Sequence, residues 1–301
     1  MEPVIHFGPE QVVLLNTIMA IMIFGVSVTL KPADFTRVIK KPKAPLTGLF
    51  AQFILLPAMT CGLTWLLDVD PAMAMGMMLV AACPGGTFSN IMTFLARGNT
   101  AVSVSMTAVS SATAAVLTPF NFALYSSLNP NTLPLLKTIA MDPVRLAILF
   151  FCVLVIPLVL GMLFGHRWPA QALKTERPFR IFSILTLFSF VVIAVGQNIE
   201  TLMTYMGLLV ALVVGHNALA LLLGYLSARF AQLNTQDTRA ITLEVGIQNS
   251  GLALAILFTF FPTQTSMMVV AALWGVWHLV SGGLLALFWN RKVLCEDCFV
   301  R

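Results

Sequence analysis

One acidic side chain, Glu244, lies deep inside an apolar run of this chain. A carboxylate in a hydrocarbon core is strongly unfavourable unless paired, and ionisable groups at that depth mark functional sites by default. No Lys or Arg falls at similar depth. The partner of Glu244 is therefore a proton, a metal cation or hydrogen bonds alone. Hard oxygen donors in neighbouring apolar runs, namely Gln52, Ser89, Asn90, Ser103, Thr107 and Gln248, favour Na⁺ over a soft metal. Ser103 and Thr107 stand four residues apart and share a helix face, as do Glu244 and Gln248. The alternative is a protonated, purely structural glutamate, and any one Ser or Thr taken alone could bond back to its own helix.

These residues cluster around two polar, helix-breaking segments. One runs Cys83-Pro84-Gly85-Gly86-Thr87-Phe88-Ser89-Asn90, the other Glu244-Val245-Gly246-Ile247-Gln248-Asn249-Ser250-Gly251. Pro84, Gly85 and Gly86 in the first, and Gly246 and Gly251 in the second, are the expected breaks. Backbone that leaves the helix at membrane depth survives only when protein buries it or when it lines a wet cavity. Two such interruptions in corresponding places point to the binding site of a secondary transporter.

The surrounding elements are membrane spans. Of 301 residues, 58% are hydrophobic and 10% charged, with mean hydropathy +0.92. A soluble domain carries roughly 25% charged residues. The sequence reads as an all-α polytopic protein with nine spans, at 12–30, 45–67, 72–95, 101–127, 144–165, 181–202, 204–228, 240–261 and 267–289. Fifteen of the 17 basic residues fall in alternate connections and the tail, while only Lys137 and Arg145 fall near the other side. The net charge of +5 thus marks sidedness rather than nucleic-acid binding. The positive-inside rule places the N-terminus outside and the C-terminus in the cytoplasm of a plasma (inner) membrane. The first span, with no basic segment before it, reads as a retained helix rather than a signal peptide. The connections are too short for a soluble domain.

The breaks fall in the third and eighth spans. Spans 1–4 (12–127) and 6–9 (181–289) then form two units of opposite orientation, an inverted repeat, with span 5 (144–165) between them and 290–301 as a cytoplasmic tail. Where two broken helices cross, free N–H groups suit an anion and free C=O groups a cation. His278, in Trp277-His278, is a candidate substrate or gating contact. His216 reads as a hydrogen-bonded packing residue, as do Met73, Met75, Met77 and Met78 as adaptable packing. Cys61, Cys83 and Cys152 read as packing residues, and the single Cys295-Glu296-Asp297-Cys298 pair as solvated tail rather than a metal or redox site.

With these residues in view, the chain resembles the bile acid:sodium symporter family. The matching stretches begin with Gly25-Val26-Ser27-Val28-Thr29-Leu30-Lys31-Pro32-Ala33-Asp34-Phe35, Ala51-Gln52-Phe53 and the first break. They continue with Leu95-Ala96-Arg97-Gly98-Asn99, the second break and Trp277-His278, so the likeness runs from about 12 to 290. It implies a core domain of spans 2, 3, 4, 7, 8 and 9, a panel domain of spans 1, 5 and 6, and substrate in the cleft between them. It also implies two Na⁺ sites. One would use Ser89, Asn90, Ser103, Thr107 and Glu244, the other Gln52, Glu244, Gln248 and the main-chain carbonyls of Val245 and Ile247. Thr87, Asn249 and His278 would lie near an organic anion, bile acid-like or a small hydroxy or keto acid such as pantoate. Two departures stand out: bacterial members often have ten spans, and Leu279 follows the histidine where such a relative can have Asn.

The expected function is sodium-coupled import of an organic anion by alternating access. The main rival is a proton-coupled carrier or an exporter on the same architecture. An intramembrane enzyme would need a nucleophile–base pair or metal constellation, and the sequence shows no HExxH, GxSG or intramembrane Asp pair. A receptor would need an output domain.

Overall fold

Proline, glycine and short polar caps punctuate the apolar runs and decide where helices begin and end. The computed structural model describes residues 9–28, 30, 32–139, 151–197 and 199–299. Lys31, Arg145, Arg301 and the first part of the interval 144–165 lie outside them. The described residues are helical almost throughout, with no strand beyond a single isolated bridge.

In chain order the helices are α1 (Pro9–Ser27), α2 (Pro32–Lys40), α3 (Lys43–Phe50) and, after a π-helical turn at Ala51–Leu55, α4 (Leu56–Leu66). Next come α5 (Pro71–Ala82), α6 (Thr87–Leu95), α7 (Thr100–Leu128) and α8 (Leu133–Ile139). A second π-helical turn, Phe151–Val155, leads into α9 (Ile156–Arg167), followed by α10 (Pro169–Gln197) and α11 (Ile199–Phe230). The chain continues through α12 (Thr235–Gly246), α13 (Ser250–Phe260) and α14 (Thr265–Phe299).

Among the described residues, four helical segments are long and apolar enough to cross a bilayer: Lys43–Leu66, Thr100–Leu128, Gly207–Phe230 and Thr265–Asn290. The number rises to five if Phe151–Arg167 and Pro169–Phe179, bent by 119° at their junction, count as one span. Pro71–Ala82 and Ser250–Phe260 are apolar but shorter.

The broken helices occupy the centre. Every residue of α13 is buried, and so is α5 from Met73 to Ala82, including the methionines read as packing. Asp70 caps α5 by accepting from the Ala72 and Met73 N–H groups, and Pro71 follows at the first helical position. The helix stops because Pro84 forces Cys83 into extended backbone. Cys61 and Cys83 are buried, whereas Cys152 is exposed beside Phe151 on the outward side of the second π-turn, contrary to the packing role expected of it.

A polar clamp fixes one end of this core. Asn99 caps α7 and donates to Asp237 Oδ1 at 2.6 Å, while Arg239 donates to Ala96 O at 2.9 Å and lies over Trp289. The turn between α6 and α7 is thereby tied to the start of α12. Close approach of α11 to α12 depends on Gly224, where an added Cβ would sit 2.9 Å from both Ile241 O and Thr242 Cα. Replacing Gly224 by Ala is expected to destabilise the protein by about 1–3 kcal/mol in thermal unfolding. Gly62→Ala, whose Cβ meets nothing within 4 Å, serves as the clash-free control and should hold or raise stability, by up to about 1 kcal/mol, because Ala is the better helix former.

Candidate functional site

The two breaks meet. Gly85 and Gln248 form an antiparallel bridge, with the Gly86 N–H donating to Ile247 O at 3.0 Å and the Asn249 N–H to Pro84 O at 2.8 Å. The stranded backbone of each break thus satisfies the other. Asn249 then restarts the helix by accepting from the Leu252 N–H at 3.0 Å. Because that cap acts so early, the second break is narrower than expected: Gly246 closes α12 and Gly251 lies in the first turn of α13, leaving Ile247–Asn249 outside the helices.

Beside the bridge sits Glu244, fully buried in the last turn of α12. Oε2 lies 2.5 Å from Ser89 Oγ of α6 and 2.7 Å from Ser103 Oγ of α7, while Oε1 lies 2.5 Å from Thr107 Oγ1. The same hydroxyls face other acceptors. Ser89 Oγ is 2.7 Å from Gly86 O, Ser103 Oγ is 2.7 Å from Asn90 Oδ1, and Thr107 Oγ1 is 3.2 Å from Asn90 Oδ1 and 3.1 Å from Ser103 O. Each hydroxyl has one proton to give. Acceptor oxygens therefore outnumber the protons available to them, and among the described residues neither a Lys nor an Arg contributes to the environment of Glu244. A small hard cation at the centre would turn that excess of oxygen into coordination. All five residues of the first expected ion site are brought together here.

The second set is adjacent. Gln52 Nε2 donates to Gln248 Oε1 at 3.3 Å, and Gln248 Nε2 donates to Val245 O at 2.8 Å. Gln52 Oε1 is buried and has no hydrogen-bond partner among the described residues, an acceptor whose chemistry fits a cation. Ile247 O accepts from Gly86 and retains a second lone pair.

Thr87, Asn249 and His278 line one cavity of about 850 Å³. Its other wall comes from Met22 and Ser27 of α1, Leu158 of α9 and Phe179 of α10, and Asp34 and His166 also border it. His216 does not line this space. Its ring lies 4.6 Å from that of Trp274, and Nε2 is 2.7 Å from Thr60 Oγ1. The neighbouring Asn217 was missed as a site residue. Its Nδ2 donates to Gly246 O at 2.8 Å, replacing the helical donor lost at the break, and its Oδ1 accepts from Ser281 Oγ at 2.5 Å. An Asn inside an apolar run was the available signal.

Clustered oxygen-bearing side chains at a helix interruption within an apolar helical core, beside a cavity, fit a membrane transport protein. Comparison with known proteins gives the particular family: the model of the sodium bile acid symporter family matches residues 16–205. An uncharacterized sodium-dependent transporter of Bacillus subtilis, YocS, is 33% identical over 279 residues, 93% of this chain and 84% of that protein. A probable sodium/metabolite cotransporter of Arabidopsis thaliana, BASS1, is 30% identical over 91% of this chain and 66% of its own length. The human ileal sodium/bile acid cotransporter is 26% identical over 95% of this chain and 80% of its own. The chain belongs to the sodium bile acid symporter family. It is a multi-pass membrane transporter and not an enzyme.

A Cβ added at Gly85 would run into the Glu244 carboxylate. Gly85→Ala is therefore expected to destabilise the folded protein by about 1–3 kcal/mol. The same change made beside Glu244→Ala should have almost no further effect, because the clash partner is gone. A double-mutant cycle in thermal unfolding measures this coupling.

Proposed function

We propose that the protein imports an organic anion together with inward-moving Na⁺, by alternating access. The observation that carries this reading is the excess of acceptor oxygens around Glu244. One Na⁺ is held by Ser89, Asn90, Ser103, Thr107 and Glu244. A second is held by Gln52, Glu244, Gln248 and the carbonyls of Val245 and Ile247, and the orphaned Gln52 Oε1 supports it. The substrate carboxylate meets the N-terminal ends of α6 and α13 near Thr87 and Asn249, where free N–H groups and the helix dipole favour negative charge. His278 offers a further polar contact, and the apolar far wall takes the substrate's carbon skeleton.

In this reading nine spans form two inverted repeats in the plasma membrane, with the N-terminus outside. The panel contains α1, α9 and α10, and the broken helices belong to the core. The cavity lies between these two groups. Asp34 and His166, which border the cavity, belong to the connections read as cytoplasmic, which supports a cavity that faces the inside in this reading. Ion binding shifts the rocking equilibrium by its differential affinity for the two states. The names of the relatives, which include bile acid, organic anion and metabolite, support an organic anion as substrate.

The proton-coupled reading draws on the same carboxylate, since a proton on Glu244 also relieves the excess of acceptors. Ion replacement separates the two. Wild-type protein in proteoliposomes is expected to accumulate a carboxylate substrate under an inward Na⁺ gradient and not under K⁺, choline or a proton gradient alone. Purified protein should gain stability in NaCl but not in choline chloride, by about 2.7 kcal/mol when Na⁺ reaches a hundred times its Kd. Glu244→Gln should lose both responses while remaining folded in the membrane. Full Na⁺-driven uptake by that variant would sink the assignment.

A further inference from the structure

The π-helical turn Ala51–Leu55 interrupts the apolar segment Lys43–Leu66, and Gln52 sits within it. Its cause is local. Proline has no N–H, so at Pro57 the carbonyl four residues back, Phe53 O, loses its helical donor. The Leu56 N–H reaches five residues back to Ala51 O, the wider π spacing. The missing donor arrives from another helix: Asn121 Nδ2 of α7 donates to Phe53 O at 2.9 Å in a buried contact. One turn further along α7, Tyr125 Oη donates to Ile54 O at 3.4 Å. Two side chains of one helix face thus hold the carbonyls of the irregular turn.

We propose that Asn121 is a positioning residue for ion binding: by holding Phe53 O it keeps the π-turn wound, and the π-turn aims the Gln52 amide at the second ion position. The inference rests on the sodium-coupled reading and deepens it. One residue of helix corresponds to a rotation of about 100°, so a return to α spacing would swing Gln52 away from its present bearing relative to α4. In the present winding Gln52 Nε2 reaches Gln248 Oε1, and Gln52 Oε1 is left without a protein partner beside the end of α12. Asn121 itself is buried, and its amide donates to Phe53 O, next in sequence to the proposed ligand Gln52. It repeats the role of Asn217, whose amide replaces the donor lost at Gly246 O between the two carbonyls of the same ion position.

The test is a NaCl titration of thermal stability, at constant ionic strength with choline chloride, on wild type, Asn121→Leu, Gln52→Ala and the double variant. Asn121→Leu is expected to need about ten-fold more Na⁺ for half-maximal stabilisation, the size of effect seen when ligand-orienting groups are lost. The double variant should respond as Gln52→Ala alone does. A uniform drop in Tm at every Na⁺ concentration with an unshifted midpoint would make Asn121 merely structural and overturn the inference. So would additive midpoint shifts in the double variant. If Asn121→Leu fails to fold, Tyr125→Phe is titrated in the same way. It removes the second donor to the turn and keeps the ring, and an unshifted midpoint overturns the inference. A wild type indifferent to Na⁺ overturns the sodium reading itself, whereas a responsive wild type beside an unshifted Asn121→Leu overturns this inference alone.

Discussion

The antiparallel bridge between Gly85 and Gln248 is the contact on which the rest of the site depends. Two helices stop inside an apolar core, and each leaves N–H and C=O groups that lipid cannot satisfy. Neither break is tolerable alone. Paired through Gly86–Ile247 and Asn249–Pro84, each supplies the donors and acceptors the other lacks. The pairing also fixes the crossing point, which brings Ser89 at the start of α6 against Glu244 at the end of α12. Gly85 is required there because the carboxylate occupies the space a side chain would fill.

A second constraint is electrostatic. Burial of Glu244 without a basic partner is unfavourable, and three hydroxyl groups offset only part of that penalty because each is shared with another acceptor. An Arg or Lys partner would already neutralise the carboxylate and leave less for an ion to add. In the proposed function, a site short of positive charge has its stability tied to a cation. The clamp of Asn99, Asp237 and Arg239 supplies rigidity elsewhere, at the far end of α12.

Much of the site was legible because the sequence reports violations of the apolar rule locally. Glu244 was conspicuous by its type, Pro84-Gly85-Gly86 by its incompatibility with a helix, and Ser103 with Thr107 by spacing. What escaped was set by contacts distant in sequence. Asn217 and Asn121 look like ordinary packing residues until the carbonyls of Gly246 and Phe53 are known to lack donors, 29 and 68 residues away. The edge of the second break was misjudged for a related reason. Glycine marks where a helix can stop, but the Asn249 cap decides where it resumes. Exposure of Cys152 was hidden because, in a span apolar on every face, composition does not say which face looks outward.

The geometry also says how an ion and an anion come to be coupled in the proposed cycle. Across the second break, Gln248 bonds to Gln52 and Val245 and also borders the cavity, which its neighbour Asn249 lines with Thr87 and His278. At the start of α6, Thr87 lines the cavity and Ser89 bonds to the carboxylate, while Asn90 borders the cavity and accepts from Ser103. The proposed ion and substrate positions thus adjoin one short, two-stranded bridge. A cation that draws Gln248, Ser89 and Glu244 together tightens the same backbone that presents Thr87 and Asn249. In the proposed cycle, filling the ion position would therefore order the backbone that presents the substrate position.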